Sequence, residues 1–118
     1  MNNFPKIWGT NSEIYNNDLC SVNVLRVKKG GNCSYHNHRS KHNVFYVLSG
    51  KLIIRTEHGD SVIGPDQVFT VYAGTKHKFV GLEDTMAIEV MFVQYDRNDI
   101  QRDDVGFIDK KIVEGEES

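Results

Sequence analysis

Three histidines stand where their side chains could meet. His36 and His38 are one residue apart in the stretch CSYHNHRSKHNVFYVLSG, from Cys33 to Gly50, and His77 follows a glycine turn, Ala73-Gly74-Thr75. On a helix His36 and His38 would lie about 200° apart, whereas the two-residue period of a strand places both imidazoles on one face. A third imidazole converging from another strand would complete a set that holds a divalent transition metal and leaves positions open for water or substrate. Zinc, iron, nickel and manganese all suit such nitrogen ligands. His58, in a Gly-Asp turn, reads as a surface residue. His42 has two readings, facing solvent beside Lys41 or approaching the site, and in the second it joins Glu89 as a candidate to move protons.

The elements that must position these residues are strands. Val22, Val24 and Arg26 share one parity and Asn23, Leu25 and Val27 the other, which predicts a β-branched strand from Cys20. Val44–Leu48, Leu52–Ile54, Val62–Ile63, Val68–Tyr72, His77–Val80 and Met86–Val93 follow, separated by turns such as Ser49-Gly50-Lys51 and the breaker Gly64-Pro65-Asp66. No useful window has helical periodicity, and turn signals recur every eight to twelve residues or so, as in sandwiches and barrels. The expected fold class is all-β. Residues 1–19 are expected to form an N-terminal arm and first strand, with Met1 to Asn17 polar and irregular. Residues 20–95 form the barrel, and 96–118 a C-terminal segment ending in a frayed Glu-Gly-Glu-Glu-Ser tail. Val44–Leu48 and Met86–Val93 are apolar on both parities, so their outer face needs a cover, and a homodimer supplies one.

The 118 residues, 39% hydrophobic, suit one domain with a single core. A formal charge of −2 with dispersed Lys and Arg gives no footprint for nucleic acid or an anionic membrane. No apolar run is long enough to span a bilayer, and Met1-Asn2-Asn3-Phe4-Pro5 lacks the features of a secretory signal. Cys20 and Cys33 read as two free thiols in a reducing cytoplasm.

The spacing of these residues resembles the two motifs of the cupins. Five residues separate Gly30 from His36-Asn37-His38, four more lead to Asn43 and six more to Gly50. This is the cupin pattern of glycine, His-any-His, glutamate and glycine, with Asn43 in the glutamate position. Asp66, Tyr72-Ala73-Gly74 and His77 are similar to the second motif, with Asp66 and Tyr72 in place of its glycine and proline. The resemblance implies a jelly-roll barrel, or double-stranded β-helix, and a metal held by His36, His38, Asn43 and His77. Ile7-Trp8-Gly9, His38-Arg39-Ser40-Lys41-His42, Val47-Leu48-Ser49-Gly50, Phe92-Val93-Gln94 and Asp99-Ile100-Gln101-Arg102 further resemble the C-terminal domain of type II mannose-6-phosphate isomerases.

That second resemblance implies a metal-dependent sugar-phosphate isomerase acting on a small anionic carbohydrate. Arg39 matches its pattern as the cation for the phosphate, with Arg55 and Lys41 as alternatives. Lys76 and Lys78 have the opposite parity to His77 and should point away. With Asn43 in place of glutamate the centre carries one more positive charge, and a neutral amide is the poorer ligand. Two other readings therefore stand beside the isomerase. One is a non-enzymatic cupin that binds sugars or other small ligands. The other is a three-histidine iron dioxygenase, which lacks a thiol-substrate signature, since Cys33 has the parity to point out of the barrel.

Overall fold

The structure, a computed structural model, describes residues 2–93 and 98–115. Two antiparallel sheets face each other as a jelly roll, the double-stranded β-helix expected from the sequence. The six-stranded sheet runs in the order β1 (Asn2–Lys6), β2 (Gly9–Asn16), β3 (Cys20–Val27), β11 (Thr85–Phe92), β6 (His42–Ser49), β9 (Val68–Val71). In the other sheet β10 (His77–Gly81) is central. It pairs on one side with β7 (Leu52–Thr56), which carries β8 (Gly59–Ile63). On its other side lie the two-residue strands β4 (Gly31–Asn32) and β5 (His36–Asn37). These in turn pair with β13 (Phe107–Ile108) and β12 (Gln101–Arg102).

Alternation sets which side chains meet. Along β6 Asn43, Phe45 and Val47 are buried and His42, Val44 and Tyr46 only half-buried, and along β11 Ala87, Glu89 and Met91 are the buried set. Phe45, Val47, Leu25, Leu52, Ile54, Ile63 and Phe79 fill the interior between the sheets. Burying a side chain of this size removes about 1.5–3 kcal/mol of apolar exposure, and the cluster fixes the register that turns Asn43 and Glu89 inward.

Two differences from the sequence reading, at the N-terminal arm and at Cys33, have physical causes. Residues read as an irregular arm form the β1–β2 hairpin, whose Asn3↔Ser12 and Phe4↔Asn11 pairing rests on main-chain bonds that hydropathy does not register. Trp8, at the turn of that hairpin, is buried with its ring edge-on to Phe79 at 4.8 Å. Cys33 does not point out of the barrel: residues 33–35 are not strand, the parity argument lapses, and the thiol is buried in the core, accepting the Phe79 N–H at 3.2 Å. Both cysteines are free. Gln94 and the last three residues of the tail lie outside the described residues.

The motif glycines are conformational. Gly50 has φ +89°, and a Cβ there would collide with the Asp84 carbonyl and Thr85. Asp66, in a glycine position of the second motif, keeps a left-handed φ of 65°. Aspartate tolerates that region better than most residues, and here its carboxylate also accepts the Tyr46 hydroxyl at 2.6 Å.

Candidate metal centre

His36, His38 and His77 converge. Antiparallel pairing of β5 with β10 sets His36 opposite His77, and His38, just past the end of β5, turns its ring against that of His36. Their ring centroids are 4.6, 4.8 and 5.5 Å apart, and one ligand nitrogen from each lies within 4.8 Å of the others. All three are buried.

Each ring is turned by a main-chain carbonyl. His36 Nδ1 donates to the Ser34 carbonyl at 2.6 Å, His38 Nδ1 to that of Asp99 at 2.6 Å, and His77 Nδ1 to that of Thr75 at 2.9 Å. A carbonyl only accepts, so Nδ1 holds the proton in all three and Nε2 keeps its lone pair. This is the tautomer and outer support that metal-bound imidazoles require. Burial, reinforced by His77 and His38, pushes His36 down to about 2. Burial also lowers His38, to about 4 against its bond to Asp99, and His77. The rings are therefore neutral at physiological pH, the state in which imidazole binds metal. His77 Nε2 is buried and has no hydrogen-bond partner. An orphaned polar atom costs about 1–3 kcal/mol, a cost that a cation coordinated there would remove. The donor set fits a divalent transition metal.

His36 and His38 open on a cavity of about 490 Å³, shared with Glu89, Lys41, Arg102, Glu13 and Asn23. Glu89, on β11, is buried, and burial drives its carboxyl above the usual range, opposed by the Asn43 hydrogen bond and the charge of Lys41. Asn43, on the inner face of β6, donates from Nδ2 to Glu89 Oε2 at 2.8 Å, while its Oδ1 is buried without a partner. Lys41 is itself buried, only 3% exposed.

The structure does not bring the other candidates to this cavity. His42 has the outer parity of β6. Its Nδ1 accepts the Ala73 N–H at 2.8 Å and its ring packs against Tyr72 and Phe92. Arg39 is exposed, and Arg55 pairs with Asp60 at 2.5 Å on β7; neither lines the cavity. Lys76 and Lys78 turn away as their parity predicts, toward Asp103 and the Phe107 ring.

Sequence reasoning missed Asp99 and Arg102. The Asp99 carboxylate accepts the Arg39 and Ser40 N–H groups, both at 2.9 Å, and so fixes the turn after His38. Arg102 is placed opposite His36 by the β12–β5 pairing and donates to Ser34 Oγ. The available signal is the Asp99-Ile100-Gln101-Arg102 stretch, which enters the sequence analysis only through its resemblance.

A family model described as "Cupin domain" matches residues 23–94. No curated protein matches the chain by sequence. Among solved structures, Streptomyces Pac13, described as a unique nucleoside dehydratase, superposes with a TM-score of 0.77 at 15% identity, over 93% of this chain and 88% of that one. Oxalate decarboxylase of Bacillus subtilis, a protein with Mn(II) centres, gives 0.74 at 17% identity over 86% of this chain and 29% of that one. CapF of Staphylococcus aureus, a capsular polysaccharide assembling protein, gives 0.70 at 26% identity over 92% of this chain and 34% of that one.

Proposed function

The chain belongs to the cupin family, its match covering more than half of its length, and on that premise we propose that it is a metal-dependent isomerase of a small anionic carbohydrate. The observation that carries the proposal is a cluster of three neutral, main-chain-oriented imidazoles, two of which, His36 and His38, line one cavity with a buried carboxyl and a buried cation. A divalent metal bound by His36, His38 and His77 supplies Lewis acidity to the oxygens of a carbonyl-hydroxyl substrate.

The chain's own residues supply the rest. Glu89 takes a proton from one carbon of the substrate and returns it to the next. Its burial raises its proton affinity toward the working range of a general base. Lys41 and Arg102 give the cavity positive charge for a phosphate or carboxylate, a role for which the sequence reading has Arg39 first and Lys41 and Arg55 as alternatives. Trp8, Phe79 and Leu25 line the apolar side and keep water from the reacting atoms. The carbohydrate is supported by CapF, whose description concerns a capsular polysaccharide.

The test is to incubate metal-loaded protein with mannose 6-phosphate or fructose 6-phosphate in D₂O. Interconversion with deuterium entering at carbon 2, lost in Glu89→Gln, is the expected result. Tight binding of either sugar with no exchange would leave a non-enzymatic binding cupin as the correct reading.

We propose a second copy of the chain as the partner. On the outer face of the six-stranded sheet Val22, Val90 and Val44 stand in register, as do Val24, Ile88 and Tyr46. These two rows carry no charge, and all six residues are half-buried in the isolated chain. Sedimentation velocity at micromolar concentration is expected to show a dimer, and a monomer would refute it.

A further inference from the structure

The family pattern calls for a carboxylate at position 43, and this chain has an amide there. We infer that the missing ligand is supplied by a pair of residues: Asn43 offers its Oδ1 to the metal, and Glu89, besides the proton transfer proposed above, holds and polarises that amide. The inference rests on the metal reading of the three histidines.

Four observations lead to it. The hydrogen bond from Asn43 Nδ2 to Glu89 Oε2, 2.8 Å long, decides which end of the amide faces which way. The amide nitrogen donates to Glu89, so the oxygen at the other end of the amide faces away from it. That oxygen is buried and without a partner on a residue only 1% exposed. At the centre, Asn43 Oδ1 and His77 Nε2 share that condition. Asn43 also occupies the right wall: two residues on, the Phe45 ring lies 6.4 Å from the His77 ring, and alternation gives Asn43 and Phe45 the same face. Finally, Glu89 lines the cavity together with His36 and His38, so its charge lies on the metal's side of the sheet.

The chemistry follows from the amide itself. An amide oxygen is a weak, neutral donor to a transition metal. A hydrogen bond from its nitrogen to a carboxylate draws electron density toward the oxygen, because the two ends share one conjugated system. Hydrogen-bond partners of this kind orient ligands and raise their basicity. The Asn43–Glu89 pair thus does in two residues, on β6 and β11, what one ligand glutamate would do on β6. It also leaves the carboxylate off the metal, where it can still exchange a proton with a substrate.

The test measures affinity for Mn(II) and Co(II) alone, by isothermal titration, in the wild type, His77→Ala, Glu89→Gln, Asn43→Ala and the double variant Asn43→Ala/Glu89→Gln. The visible spectrum of the Co(II) form is a second readout. Glu89→Gln keeps shape and hydrogen-bonding capacity and loses only charge. It is expected to weaken metal binding by about 10–100-fold and to shift the Co(II) bands. In the Asn43→Ala background the same change should cost nothing further, because the carboxylate then has no amide to act through. Glu89→Gln binding as tightly as the wild type overturns the inference, and so does a loss that persists undiminished in the Asn43→Ala background. Failure of the wild type to bind either ion would instead refute the metal reading on which the inference stands. A folded Asn43→Asp variant gives an independent arm. A carboxylate restored at position 43 should bind at least as tightly as the wild type and be insensitive to Glu89→Gln, and sensitivity there would also overturn it.

Discussion

On the wall of the barrel interior at β5 and β10, three imidazoles are turned by the carbonyls of Ser34, Asp99 and Thr75. On the wall made by β6 and β11, Asn43 and Glu89 are turned by each other. The first wall is held by atoms that every residue carries and the second by two particular side chains. The first is kept neutral by burial, whereas the second holds a carboxyl that burial resists ionising. Substitution and acid should therefore affect the two walls differently.

The largest effect is expected on the imidazole wall. His77→Ala should abolish measurable metal binding, a loss of more than about 100-fold, since removing a ligand exceeds the 10–100-fold cost of removing its support. Titration with Zn(II) or Mn(II) checks this, and retained affinity would break the assignment of the three rings.

Acid separates the walls next. The folded values of His36 and His38 lie well below the unfolded 6.5, so below that pH the unfolded chain binds more protons. The stability they contribute is present above pH 6.5 and lost as pH falls. Each costs about 1.4 kcal/mol per pH unit below 6.5 until its folded value is reached. Metal-free protein should thus be less stable at pH 5.5 than at pH 7.5 by about 2–3 kcal/mol from this pair. Glu89 works in the opposite sense. Its folded value lies above the unfolded 4.5, so ionisation destabilises the fold and acid relieves that cost as pH falls through the folded value. Urea unfolding of Glu89→Gln should therefore show a steeper loss toward acid than the wild type. An unchanged slope would mean that the carboxyl titrates as it does in water.

The smallest effect sharpens the contrast most. Thr75→Ala removes a side chain and leaves the carbonyl that orients His77, so metal affinity should stay within about twofold, the ±0.5 kcal/mol of an ordinary surface change. A tenfold loss there would show that the imidazole wall also depends on side chains.

How much of this was legible in the sequence depends on what each element rests on. Where a segment is regular and half apolar, parity read it correctly. β3, β6 and β11 lie where the alternation places them, and the His36 and His38 rings meet as expected although the strand itself ends at Asn37. Parity failed where strand geometry lapses, as at Cys33, and was silent where pairing rests on main-chain bonds, as in β1 and β2. His42 and Asn43 are adjacent, so only one could face inward. The apolar run after them set Asn43 with Phe45 and Val47, which sends His42 out. Arg39 and Arg55 could not be judged, because one follows a turn and the other stands near a strand end. Arg102 reaches the cavity through the β12–β5 pairing, a contact between distant segments that no local window contains.

The first strand of the molecule bears on aggregation. β1 is an outer edge of the six-stranded sheet, where unpaired main-chain groups invite a strand from another molecule. Pro5, next to last in it, has no N–H to donate, and Lys6 beside it would place a charge in any added ladder. The opposite edge, β9, is only four residues long. Both edges of this sheet are thus blunted against strand addition, and its valine-rich outer face is the larger apolar surface it offers a neighbour.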